Sequence, residues 1–66
     1  MSMTADYQAA RALRQEKIRD AVRRGDVAAF VRATHPKLLK AFREAYIASG
    51  DAEKFMAQWK SAKGIK

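Results

Sequence analysis

The sequence predicts an all-α fold, a small single-domain bundle of about four helices over residues 1–66, and three features carry that prediction. Ala, Arg, Lys, Gln, Glu and Leu dominate, while β-branched residues are few and never alternate over the length of a strand. The three glycines and the single proline fall only where helices should begin or end. The intervening gaps are so short that neighbouring helices must pack on one another.

The first helix is expected from about Ala5 to Arg24. Thr4 is its candidate N-cap, Asp6 sits favourably against the helix dipole, and Arg23 and Arg24 precede Gly25 at the other end. A short second helix follows from Val27 to about Ala33, capped by Asp26. The third is expected from about His35 to Ser49, with Thr34 as N-cap and Pro36 in the first turn, where a missing N–H costs little. Gly50 stops it. Asp51 then caps a fourth helix from Ala52 to about Lys63, closed by Gly64.

Spacing also names a core. In the fourth helix Phe55, Met56, Trp59 and Ala62 form one apolar stripe. Leu38, Phe42, Ala45 and Tyr46 share a face of the third, and Val27, Phe30 and Val31 come from the second. The aromatic residues read as core packing rather than as platforms for stacked bases, with Trp59 at the centre. The first helix is less regular. Tyr7, Ile18, Ala21 and Val22 share a face, but Arg11 and Arg14 fall within the same arc. Either its N-terminal half projects, with the arginine stems over apolar surface and their heads in water, or Arg11, Arg14, Lys17 and Arg19 meet a partner.

Charge is the strongest functional clue. Fourteen Lys and Arg against seven Asp and Glu leave a formal +7 on 66 residues, which predicts attraction to polyanions before any specific contact forms. There is no cysteine, so disulfides, thiolate metal ligands and thiol catalysis are all excluded. No apolar stretch of signal-peptide or membrane-span length occurs, and the chain reads as a soluble, cytoplasmic protein that does not engage a membrane.

Catalysis has almost nothing to build on, and no enzyme, cofactor or metal is expected. His35 is the only histidine, with no second His or Cys to make a metal site. Glu16 and Asp20 are interleaved with Lys17, Arg19 and Arg23, so intrahelical ion pairs explain them better than a carboxylate dyad does.

The run RGDVAAFVRATHPKLLKAFR, Arg24 to Arg43, resembles a helix-turn-helix unit: a short helix, a turn of three or four residues, and a longer helix after a Thr cap. Val27, Ala28 and Val31 would be buried in its first helix, with Ala33 in the turn and Leu38 and Ala41 packing back. Arg32 stands where the motif usually has Gly, and Phe30 is large for its position. The resemblance implies a DNA-facing surface of Thr34, His35, Lys37, Leu39, Lys40 and Arg43. The Thr34 N–H and the helix N-terminus would hold phosphate, Lys37 and Lys40 would add phosphate contacts, and Arg43 would be the donor suited to guanine.

Two classes of partner follow. The leading expectation is a small nucleic-acid-binding protein, directed to duplex DNA through the third helix and the basic residues of the first. The alternative is an inhibitor, adaptor or accessory subunit docking on a larger acidic protein, a kind of compact helical protein common among phage and plasmid products; a homodimer is compatible with either. The stretch PKLLKAFREAYIA, Pro36 to Ala48, is similar over one helix length to the third helix of the theta accessory subunit of bacterial DNA polymerase III, and that resemblance implies the docking class.

Overall fold

A computed structural model of the chain describes residues 3–65, of which 3–5 by their backbone alone. Four helices follow in order: α1 (Met3–Arg24), α2 (Val27–Thr34), α3 (Lys40–Ala48) and α4 (Asp51–Lys63). The all-α expectation holds, and none of these helices is long and apolar enough to cross a membrane.

Glycine and its neighbours close the helices as the sequence requires. Gly25 adopts φ 71°, and after it the Asp26 N–H reaches back to the Ala21 carbonyl at 2.9 Å while the Gly25 N–H bonds that of Val22 at 3.2 Å. This pair of bonds satisfies two carbonyls that a helix end otherwise leaves open, and the left-handed residue between them favours Gly. The same arrangement recurs at Gly64, where the Ile65 N–H bonds the Lys60 carbonyl at 3.0 Å. That turn folds Ile65 back against the core, a contact the sequence pattern did not suggest. Asp26 is the N-cap of α2, its carboxylate accepting the Ala29 N–H at 3.0 Å.

Three expected boundaries are corrected. The backbone is already helical at Met3, so Thr4 lies inside α1 and is not its N-cap; the Thr4 side chain lies outside the described residues. Gly50, not Asp51, is the N-cap of α4, and Asp51 is the first helical residue, beside the positive end of the dipole. The largest shift is in α3, which begins at Lys40 rather than His35. Pro36 is the cause. Its ring disfavours helical backbone at the residue before it, and His35 accordingly takes φ −130°, ψ 62°. Pro36 then occupies the second position of a turn closed by the Leu38 N–H on the His35 carbonyl at 3.2 Å, a position as suited to its fixed φ as a helix start.

Consequently the central helix-turn-helix sequence is present but displaced. Arg32 and Ala33 belong to α2 rather than to a turn, and residues 35–39 form the connection. Thr34 ends α2 instead of capping α3, its hydroxyl donating to the Phe30 carbonyl at 2.8 Å. Ala28 and Ala41, expected to be buried, are exposed. The stretch similar to a single helix of the theta subunit is here a turn followed by the nine-residue α3.

The core is small because the molecule is thin, with extents of 43 × 29 × 16 Å. Ile18, Ala21 and Val22 of α1, Phe30 and Val31 of α2 and Ala52 of α4 are buried, with Met56 and Trp59 partly so. Short α2 packs against each of the other three helices and is the hub of the fold. No residue of α3 is buried. Its packed side is Arg43, Tyr46 and Ile47, at i, i+3 and i+4, which leaves Phe42 63% exposed and Ala45 on the surface. Of the predicted stripe, Tyr46 packs and Leu38 is half-buried, while Phe42 and Ala45 give way to Arg43 and Ile47. The Arg43 Nε donates to the Leu38 carbonyl at 2.8 Å and ties down the turn.

Candidate functional site: an aromatic and cationic cleft

Along the first half of α1 the described side chains, from Asp6 to Arg14, are all exposed. Its apolar arc continues from the buried Ile18 through Arg14 and Arg11 to Tyr7, one face at intervals of four, three and four residues. This face forms one wall of an open cleft of about 640 Å³. Phe55, Trp59 and Lys63, one turn apart on α4, line the other wall, and Thr34 and His35 line it from the end of α2. Among the described residues no carboxylate lines the cleft.

Its groups are held by identifiable contacts. The Arg14 Nε donates to the Ala33 carbonyl at 3.2 Å, placing a cation at the C-terminal end of α2, where the carbonyls lack helical partners. Arg14 is therefore a strut between α1 and α2 as well as a cleft residue. We expect Arg14→Gln to cost about 0.5 to 1 kcal/mol and to lower the melting temperature by several degrees. An unchanged or raised melting temperature would show the bond to be dispensable. Lys63 Nζ lies 5.9 Å from the Trp59 ring centroid, a cation–π contact on the second wall.

His35 joins three elements. Its N–H bonds the Val31 carbonyl at 2.7 Å, and its ring lies 5.4 Å from that of Tyr46 and 5.8 Å from that of Phe55. The Phe55 ring in turn lies 5.8 Å from that of Phe30 at the centre of the core. The His35 Nε2 is buried without a hydrogen-bond partner among the described residues. The ring thus acts here as an aromatic wedge. Among the described residues no group of His, Asp and Glu could hold a metal ion.

Of the nine residues singled out from the sequence, the fold brings Arg11, Arg14, Thr34 and His35 together in the cleft. Lys17 and Arg19 lie on the opposite face of α1, in a second depression shared with Glu16, Asp20 and Arg23, where carboxylates locally offset their charge. Nearby, Asp20 pairs with Arg24 at 3.0 Å. Lys37, in the turn, and Lys40, the first residue of α3, are exposed. Arg43 is engaged with the Leu38 carbonyl, and Thr34 ends α2 rather than standing at a helix N-terminus.

Sequence reasoning missed Tyr7, Phe55, Trp59 and Lys63 as one surface. The available signal was the arc that Tyr7 shares with Arg11 and Arg14, a stripe at once apolar and cationic. No protein-family model matches the chain, nor does any curated protein or solved structure.

Proposed function

We propose that the protein binds nucleic acid through its phosphates, with little dependence on base sequence. The observation that supports this is charge segregation. Arg11, Arg14 and Lys63 edge a cleft that no carboxylate of the described residues lines, while Glu16 and Asp20 sit among the basic residues of the opposite face of α1. Lys37 and Lys40, in the turn and at the start of α3, are two further exposed cations. Each such cation that meets a phosphate releases condensed counterions, which provides affinity without reading bases. α3 starts at Lys40 rather than after Thr34, and Lys37 and Lys40 are exposed where they can meet phosphates.

A second reading keeps one specific observation in its favour. The two cleft walls carry side chains at helical spacing, as a groove for an amphipathic helix does, so an acidic helix of a larger protein is the alternative occupant. Titration with duplex and single-stranded DNA at about 50 and 200 mM salt, followed by backbone NMR shifts, tests the proposal. Log affinity should fall linearly with log salt, and the largest shifts should fall on the residues around the cleft and on Lys37 and Lys40. Absence of binding at about 50 mM salt would sink the nucleic-acid reading and leave protein docking.

A further inference from the structure

We infer that the cleft is a site for unpaired bases, so that the partner is single-stranded nucleic acid rather than duplex. The inference rests on the nucleic-acid reading above and narrows it. Its starting point is a repeated pairing of ring and cation: Tyr7 with Arg11 on α1, and Trp59 with Lys63 on α4. In each pair the two residues are one helical turn apart, about 6 Å along the axis. A nucleic-acid strand likewise alternates base and phosphate, so one segment can set a base against a ring and the adjoining phosphate against a cation.

Exposure supports the assignment. Tyr7 is 68% exposed and Phe55 41% exposed, although both line a concave surface of a chain that has few apolar residues to spare. Tyr7 lies on the uncovered half of α1, outside the buried core. A ring as open to solvent as Tyr7 can stack on a base, and each stacked base contributes whatever its sequence. Gln15 adds an amide able both to donate to and accept from base edges. A duplex can offer its phosphates to Arg11 and Lys63, but its bases are already stacked on one another and cannot reach the rings. An acidic amphipathic helix would use the same cations and lay apolar side chains on the rings, but it does not alternate one flat ring with one charge as a strand does.

The test compares four probes by fluorescence anisotropy at about 50 mM salt: an oligothymidylate, an abasic oligomer of equal length and charge, a duplex of the same length, and polyglutamate. The expected result is that oligothymidylate binds at least tenfold more tightly than the abasic oligomer and more tightly than the duplex. It should also quench emission from the single tryptophan, Trp59, whereas the abasic oligomer should not. Tyr7→Ala should lower oligothymidylate affinity at least tenfold, with abasic binding and the melting temperature unchanged, and Tyr7→Phe should retain the wild-type preference. Equal affinity for oligothymidylate and the abasic oligomer would overturn the base site while leaving phosphate binding intact, and a preference for duplex would overturn it as well. Binding of polyglutamate alone would overturn both readings in favour of an acidic protein. Binding of none of the four would overturn both outright.

Discussion

Phe30→Ala is expected to leave the chain largely unfolded at 25 °C. Phe30 is fully buried on the helix that packs against all three others, and it clusters with Ile18, Ala21 and Val22 of α1 while its ring meets that of Phe55 on α4. Truncating such a residue costs roughly 3 to 5 kcal/mol through lost transfer energy and the cavity left behind. A domain of this size holds only about 3 to 5 kcal/mol in total, so the cost matches the margin. Neither a disulfide nor a second core exists to absorb it. Far-UV circular dichroism with a thermal melt measures the outcome, and a cooperative transition within a few degrees of wild type would show that α2 is not the hub.

The same reasoning demotes Trp59. The apolar stripe of α4 predicted a central tryptophan, but the residue is only partly buried and edges the cleft beside Lys63. Periodicity identifies which residues share a face; it does not say how much of that face the rest of the chain can cover. In a molecule 16 Å thin, α4 buries Ala52 but leaves Met56 and Trp59 only partly covered and Phe55 41% exposed, although the Phe55 ring meets that of Phe30.

Legibility in the sequence followed how local each signal was. The ends of α1 and α4 at Gly25 and Gly64, and the cap at Asp26, depend on residues within one turn and were readable. The start of α3 was not, because Pro36 suits both a first helical turn and the second position of a β-turn, and the contact that secures the turn comes from Arg43. That one ambiguity misplaced Thr34, His35 and the packed face of α3 together. The conflict on α1 was visible as arginines within an apolar arc, and either of its two readings alone would have missed part of the result. The first half of the helix is exposed, as projection requires, yet Arg14 is bonded across to α2 and Arg11 lines a cleft. The second wall of that cleft comes from α4, about forty residues along the chain, and no local pattern could have paired the two.

Arg11→Gln combined with Lys63→Gln is expected to weaken nucleic-acid binding on the order of a hundredfold at about 50 mM salt, roughly 2.7 kcal/mol, and about tenfold at 200 mM. The magnitude follows from counterion release: each lost phosphate contact removes about 0.7 to 0.9 from the slope of log affinity against log salt, so two contacts weigh most at low salt. Gln preserves helix propensity and adds no large apolar surface, and both positions are exposed, so the melting temperature should stay close to wild type. The control is Lys17→Gln with Arg19→Gln, which removes the same formal charge from the face where Glu16 and Asp20 already offset it. If the cleft is the site, the control should lose far less affinity and keep nearly the full slope. Equal losses in the two double variants would mean that net charge alone attracts the partner, wherever the cations stand, and the cleft would lose its claim to be the binding surface.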